Sequence, residues 1–161
     1  MLDLIIKNGS CFINQDLKDQ DIAIKDGKIV SIGKVEDEAK EIYDAKGLTV
    51  LPGCIDTQTH FREPGSTDTE DLHSGSRAAI AGGITSVFEM PNTNPPTSNK
   101  KEFQRKLDLA KNRMYCNYAF YFGATADNAD DLASLKDLEG CCGIKLFAGS
   151  STGNLLVAEE D

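Results

Sequence analysis

Hydrophobic and polar residues alternate along residues 1–51 in short runs that are separated by turn dipeptides. Leu2 to Lys7 and Asp21 to Lys25 are such runs, and Asp26-Gly27 leads into a third, Lys28 to Gly33. A period of two is typical of strands with one buried face, and Asp-Gly is a preferred hairpin turn. Residues 1–51 therefore predict a small N-terminal β module built around an antiparallel sheet.

From Pro52 onward, strand-like apolar runs alternate with helical stretches. The predicted strands are Cys54 to Phe61, Ile84 to Met90, Cys116 to Gly123 and Gly143 to Phe147, and the predicted helices are Asp68 to Ala81, Asn99 to Arg113 and Asp127 to Leu138. Strands that alternate with helices form parallel sheets with right-handed crossovers. Residues 52–161 hold roughly four βα units of about 27 residues each, close to the size of one unit in a (β/α)8 barrel. The pattern therefore predicts the first half of such a barrel. No closing element follows, which we interpret as truncation of a longer protein.

Composition and charge narrow the classes of partner. The 161 residues are 40% hydrophobic, and 26 acidic residues against 17 basic ones give a net charge of -9, which disfavours binding to nucleic acid or an anionic membrane. No signal peptide or apolar run of about 18 residues is present. The five cysteines lack a CxxC pattern and predict reduced thiols, so we expect a cytoplasmic protein.

Polar residues with metal-binding potential lie along the first predicted strand of the barrel. Asp56, Gln58 and His60 are spaced by two residues, so we expect their side chains to share one face. Asp-x-Gln-x-His is a weaker metal signal than Asp-x-His-x-His, because an amide is a poor zinc ligand. Taken alone, the pattern favours His60 as a hydrogen-bonded structural histidine.

Two further candidates follow the first and second strands of the barrel. Arg62 precedes a Glu-Pro-Gly turn and can hold a carboxylate through two hydrogen bonds, or it can pair with Glu63 or Asp68 at the surface. Asn92 lies in a Pro-rich loop that can present its amide to a polar ligand, although the pattern alone slightly favours a turn-forming role.

Lys145 is flanked by Ile144, Leu146 and Phe147, where a charged amine pays a desolvation penalty. A lysine that burial neutralises can act as a nucleophile or react with carbon dioxide to form an anionic carbamate. The alternative is a lysine that reaches solvent at the end of the sheet beside an acid. The following segment, 149–153, lacks the GxxxxGK pattern of a phosphate-binding loop and is interpreted as a close-packing turn.

The motif from Gly53 to Gly65, Gly-Cys-Ile-Asp-Thr-Gln-Thr-His-Phe-Arg-Glu-Pro-Gly, resembles the dihydroorotases of the cyclic amidohydrolase superfamily. Segments 81–85, 90–93, 144–147 and 149–153 match the same family in order, so the likeness covers the whole chain. The resemblance implies a metal-dependent hydrolase barrel of the TIM type. It also implies that the N-terminal strands belong to a small β-sandwich, which the C-terminal segment of the family completes.

The resemblance implies a reaction and a role for each matching residue. The reaction is the reversible, zinc-dependent cyclisation of N-carbamoyl-L-aspartate to dihydroorotate in pyrimidine biosynthesis, with one or two zinc ions per full-length chain. His60 matches a zinc ligand, Lys145 matches the lysine that carbon dioxide converts to a carbamate, and Arg62 and Asn92 match the residues that hold the substrate carboxylate. Allantoinases tend to have asparagine in place of Arg62, and dihydropyrimidinases lack both the Arg-Glu-Pro-Gly and the Met-Pro-Asn motif.

The chain departs from the family pattern in two respects. Gln58 replaces the first of the paired histidines, so it is either a weak ligand in a subtype with one tightly held metal or the mark of a non-catalytic barrel. Two further histidines and the proton-shuttling aspartate of the family have no counterpart, since His73 is the only other histidine. A catalytic zinc usually needs three protein ligands, so we expect the isolated 161-residue chain to be inactive.

Two alternatives to a dihydroorotase stay open. One is a non-catalytic partner of aspartate carbamoyltransferase, and the other is a cyclic amidohydrolase that acts on allantoin or a hydantoin. The resemblance also implies a homodimer. An incomplete barrel leaves a sheet edge unpaired, and such an edge favours association.

Overall fold

The computed structural model describes residues 1–149 and 155–157. It contains two compact units, Met1–Pro52 and a second unit from Gly53 onward. Within these described residues, no helix has the length and apolar character that a membrane span requires.

The N-terminal unit contains two small sheets. The first has the strand order β5-β4-β1-β6, and the second has the order β3-β2-β7. The strands are β1 (Leu2–Lys7), β2 (Ser10–Ile13), β3 (Asp16–Asp19), β4 (Asp21–Lys25), β5 (Lys28–Gly33), β6 (Ala39–Asp44) and β7 (Thr49–Val50). Ile5 and Ala23 are buried and form a small core with Val35. The β-sandwich that the resemblance implies stays a prediction.

The predicted antiparallel sheet is correct for β1, β4 and β5 but incomplete. The hairpin at Asp26-Gly27 is confirmed, with φ angles of 51° and 71° at the two turn residues. β1 also pairs with β6 in parallel, and β2 pairs with β7 in parallel, which the sequence pattern did not indicate. A second hairpin joins β2 and β3 through Asn14 and Gln15, whose φ angles of 52° and 68° are left-handed.

The second unit contains a curled, four-stranded parallel sheet in chain order, which confirms the predicted half-barrel. Its strands are β8 (Cys54–Thr59), β9 (Ile84–Glu89), β10 (Asn117–Gly123) and β11 (Cys141–Lys145). The helices are α1 (Leu72–Ala81), α2 (Lys100–Ala110) and α3 (Ala129–Leu132), and a short 3-10 helix, Ala133–Leu135, follows α3.

One face of this sheet packs against the helices and forms the core. Val87 of β9 and Phe120 and Phe122 of β10 are fully buried there with Phe103 of α2 and Leu72 of α1. The opposite face carries Phe88 and Tyr121, whose rings meet edge to face at 6.4 Å between centroids. The sheet therefore has a helix face and an inner face, and both the core and the candidate site depend on this division.

The helices begin later than the sequence predicts, because side chains cap them. Asp71 caps α1 by accepting a hydrogen bond from the Ser74 amide at 2.6 Å, so residues 68–70 lie outside the helix. Asn99 caps α2 through the amide of Glu102 at 2.9 Å. Such caps satisfy backbone N–H groups that have no partner within the helix.

The third predicted helix is confirmed only in part. Helical structure covers Ala129–Leu132 and the short 3-10 turn, and Asp127 does not cap it. The neighbouring Asn128 makes long-range contacts, because its amide donates to the carbonyl oxygens of Ser98 and Gly123, both at 2.9 Å. Its Oδ1 accepts from the Thr125 amide at 2.8 Å, so this side chain stabilises the loop after β10.

Candidate functional site

His60 and Asn92 meet where the chain leaves β8 and β9. The ring nitrogen Nδ1 of His60 lies 3.0 Å from Oδ1 of Asn92, and Asn92 is buried. An amide oxygen can only accept a hydrogen bond, so Nδ1 carries the proton in the neutral ring. The lone pair of Nε2 is then free to bind a metal ion or to accept a proton.

Backbone hydrogen bonds fix the loop that carries Asn92. The Met90 amide donates to the carbonyl oxygen of Thr59 at 2.9 Å, which joins the ends of β8 and β9. The Thr97 amide donates to the carbonyl oxygen of Pro91 at 2.9 Å, and the Gly123 amide donates to that of Thr97 at 2.8 Å. The loop is thereby tied to three neighbouring strands, as a preorganised site requires.

Arg62 follows His60 by two residues and is half-buried, and its guanidinium group has no carboxylate of the described residues within ion-pair distance. The alternative of a pair with Glu63 or Asp68 is therefore wrong. Glu63 is buried and occupied elsewhere: it accepts hydrogen bonds from Arg113 Nη1 at 2.8 Å and from the Leu72 amide at 3.0 Å. The hydrogen bond between Glu63 and Arg113 raises the pKa of the Arg113 guanidinium group.

Asp56 does not share the face of Gln58 and His60, contrary to the prediction from spacing. The register of β8 against β9 shifts between Asp56 and Thr59, which pair with Val87 and Glu89 respectively. One extra residue on β8 is a β-bulge, and it breaks the alternation of side chains. Inside this bulge, Asp56 Oδ1 accepts a hydrogen bond from the backbone N–H of Gln58 at 2.9 Å.

Lys145 is the last residue of β11 and is half-buried, so the predicted mid-strand position among apolar residues is wrong. Its Nζ lies 5.0 Å from the centroid of the Phe147 ring. Lys145 pairs with Gly123, two residues beyond Tyr121 of β10, and therefore lies on the inner face. β8 and β11 are the two edges of the sheet, so roughly 14 Å measured along the sheet separates Lys145 from His60.

A buried ion pair lies behind the loop of Asn92, and sequence reasoning missed it. Glu89 ends β9, and its carboxylate pairs with the Lys106 ammonium of α2. Burial raises the pKa of Glu89 to about 8, against the attraction of Lys106 and of Arg62. Burial likewise lowers the pKa of Lys106, against the attraction of Glu89. A signal was available, because Lys106 follows Phe103 and precedes Ala110 on the buried face of α2.

The described residues do not form a metal site by themselves. They contain no group of three or more His, Cys, Asp or Glu side chains that could hold a metal ion. His60 fits a ligand because its tautomer leaves Nε2 free, and Lys145 lies on the inner face of the same curled sheet, whereas Gln58 is exposed. The predicted close-packing turn falls mostly at residues 150–153, outside the described part of the chain.

Two of the five cysteines have environments that disfavour a reactive thiolate. All five are free thiols. Burial raises the pKa of Cys142 to about 11 and also raises the pKa of Cys116. A thiol of raised pKa holds little of the reactive thiolate at neutral pH.

Comparison with known proteins adds a family to this geometry. A model of the amidohydrolase family matches residues 49–146. A dihydroorotase of Methanosarcina mazei is 40% identical over 163 aligned positions, which cover 100% of this chain and 36% of the relative. An allantoinase of Escherichia coli O1:K1 is 41% identical over 149 positions, which cover 92% of this chain and 33% of the relative. The chain thus spans about a third of the length of the curated relatives it matches.

Solved structures agree with the same assignment. The L-hydantoinase (dihydropyrimidinase) from Arthrobacter aurescens superposes with a TM-score of 0.88 at 30% identity, over 99% of this chain and 36% of that one. The dihydropyrimidinase from Brevibacillus agri gives a TM-score of 0.83 at 28% identity, over 99% of this chain and 35% of that one. The matched region contains the half-barrel and the loops of His60 and Asn92. The chain belongs to the amidohydrolase family.

Proposed function

We propose that this chain is the N-terminal part of a dihydroorotase, the enzyme that interconverts N-carbamoyl-L-aspartate and dihydroorotate. The family supports hydrolysis of a cyclic amide, but relatives that act on different rings match the chain at similar identity. The choice among them therefore rests on the site and not on overall similarity.

The proposed choice of dihydroorotate as substrate rests on Arg62. Its side chain is half-buried three residues after β8, and no carboxylate of the described residues lies within ion-pair distance of it, although it attracts the more distant Glu89. Its neighbour Glu63 is held by Arg113. A cation in this setting suits an anionic ligand, and arginine binds carboxylates through two parallel hydrogen bonds. Dihydroorotate bears a carboxylate, whereas allantoin and hydantoin rings do not.

Asn92 complements Arg62 in this proposal. Its Oδ1 binds His60, and its Nδ2 takes no part in that hydrogen bond, so it can donate to the same substrate carboxylate. One side chain would then hold both the imidazole and the substrate. The tautomer of His60 and the orientation of the substrate become coupled in this arrangement.

His60 and Lys145, the latter as a carbamate, would hold zinc together with ligands from outside the described residues, and Gln58 would be at most a weak ligand. Bound zinc lowers the pKa of water and polarises the carbonyl group that is attacked. The residues of this chain bind and orient: Arg62 and Asn92 hold the substrate carboxylate, and Asn92 keeps the proton on Nδ1 of His60. The homodimer, an association with aspartate carbamoyltransferase and a cytoplasmic location stay predictions.

Substrate choice is tested by measuring kcat/KM on the natural-length gene product with dihydroorotate, N-carbamoyl-L-aspartate, allantoin, hydantoin and dihydrouracil. We expect dihydroorotate and carbamoyl-aspartate to be the best substrates of the set. Preference for allantoin or hydantoin would assign the chain to another cyclic amidohydrolase. No turnover of any ring would favour the non-catalytic barrel.

The two histidines of the chain provide a matched control. His60→Asn removes a proposed metal ligand, so we expect kcat/KM to fall by more than the about 10- to 100-fold that loss of an outer-shell partner costs. His73→Asn changes an exposed residue of α1 that contacts Tyr115, and we expect activity near that of the wild type. Equal losses in both variants would contradict the role of His60.

A further inference from the structure

Two opposite charges are buried directly behind the loop that carries Asn92. The side chains of Lys106 and Glu89 are 0% and 1% exposed and form an ion pair between α2 and the end of β9. Lys106 Nζ also donates a hydrogen bond to the carbonyl oxygen of Met90 at 3.0 Å. It lies 5.3 Å from the centroid of the Phe120 ring, among the apolar residues of the core.

A buried ion pair is weak evidence for a role in stability. Two well-packed apolar residues of similar volume are often as stabilising as a buried ion pair, or more so, because removing both charges from water is costly. Apart from Lys106, neither carboxylate oxygen of Glu89 has a polar partner among the described residues. The raised pKa of Glu89 reports the same incomplete solvation.

The contact that an apolar pair could not replace is the one with Met90. Met90 is the junction between β9 and the loop, and its amide is already held by the carbonyl oxygen of Thr59. Lys106 holds the other side of the same residue. Pro91 follows with a backbone φ that its ring restricts, and Asn92 comes next, so the position of Asn92 depends on Met90.

We propose that the pair of Lys106 and Glu89 is a positioning element for this site. Lys106 holds the Met90 carbonyl, and Glu89 holds the Lys106 ammonium, so that Asn92 Oδ1 meets Nδ1 of His60. The proposal rests on the proposed function only where it assigns the loop of Asn92 to the substrate. The hydrogen bond between Asn92 and His60 exists without substrate and can be measured alone.

The test is imidazole nitrogen NMR on the 161-residue chain, which contains only His60 and His73. Spectra of wild type show which ring nitrogen of neutral His60 carries the proton, and we expect Nδ1. In Glu89→Leu/Lys106→Met, both charges and the donor to Met90 are lost together. We expect the fraction of the Nδ1-protonated form to fall about two-fold or more, because its acceptor has moved.

Two further variants separate positioning from general stability. Asn92→Leu shows the His60 signal when the acceptor is absent, and the double variant should approach it. Phe103→Leu changes another fully buried residue of α2 that makes no polar contact with the loop, and we expect lower stability with an unchanged His60 signal. The His73 signal serves as an internal reference.

A folded double variant with the wild-type His60 tautomer would overturn the proposal. If that variant does not fold, Glu89→Gln/Lys106→Met replaces it, since it contains no buried charge but retains one polar group. Failure of both to fold would also overturn the positioning role, because the pair would then be needed for the fold itself. The NMR result is independent of substrate, so the inference and the dihydroorotase assignment can fail separately.

Discussion

At the scale of single residues, Glu63 connects the loop after β8 to α1 and to the turn that follows α2. It is buried and accepts hydrogen bonds from Arg113 and from the first amide of α1. Glu63→Leu leaves both donors without this partner, so we expect the free energy of unfolding to fall by about 2 kcal/mol in chemical denaturation. Glu139→Leu changes an exposed carboxylate and serves as the control. Equal, small effects in both variants would contradict the assigned role of Glu63.

The pKa of Glu89 predicts how stability depends on pH. Burial raises this pKa from 4.5 to about 8, so the folded chain binds the proton more tightly than the unfolded chain. The contribution of this group is full below pH 4.5 and is lost as pH rises toward 8. We therefore expect wild type to lose stability relative to Glu89→Gln, which keeps Lys106 and its lowered pKa, between about pH 5 and about pH 8.

Denaturant titrations of both proteins at the two pH values measure this difference. His60 and His73 also titrate in this window, but both proteins contain them, so most of their effect cancels. A difference in unfolding free energy that does not change with pH, or that changes in favour of wild type, would contradict the raised pKa.

Residue identities revealed some parts of the site and not others. His60, Arg62 and Asn92 lie in short motifs whose residue types already indicate chemistry, and the structure brings His60 and Asn92 into contact. Glu89 and Lys106 were not predicted, because hydrophobic periodicity identifies buried faces but not the partner of a charged residue in the core. A lysine on the buried face of α2 requires an acid elsewhere, but sequence does not say which one.

At the scale of elements, the hairpin between β2 and β3 contains a strained residue. Gln15 has a φ of 68° in a turn whose two central residues are both left-handed. Glycine adopts this conformation without a steric penalty, so Gln15→Gly is expected to raise the free energy of unfolding by about 1 kcal/mol. Thermal or chemical denaturation measures the change. Gln20→Gly, at a position without a left-handed φ, should not stabilise the chain, and a gain there would point to another cause.

The elements that sequence predicted well are those with strong local signals. Apolar runs that alternate with helical stretches predicted the strands of the half-barrel to within a few residues. The third helix was predicted only in part, because Asn128 makes a hydrogen bond to Ser98, far along the chain, which local propensity does not reveal. The bulge in β8 was not predicted for a similar reason, since a register shift depends on the partner strand.

At the scale of the whole molecule, unit length and strand order were predictable, but long-range pairing in the N-terminal unit was not. Four βα units in chain order follow from the right-handed crossover rule, and the structure has that order. The parallel pairing of β1 with β6 joins distant segments that have no distinctive pattern. Relatives with different substrates match the chain about equally, so overall similarity does not identify the reaction.

The central claim is that Arg62 recognises a substrate carboxylate. Its most direct test is the ratio of kcat/KM for dihydroorotate to that for dihydrouracil, the ring without a carboxylate, in the natural-length protein and in Arg62→Gln. A hydrogen bond to a charged group contributes about 1.5–3 kcal/mol, so we expect this ratio to fall about 10- to 100-fold in Arg62→Gln. Arg77→Gln, at an exposed position of α1, should leave the ratio unchanged. An unchanged ratio in Arg62→Gln, or an equal loss for both rings, would contradict the account.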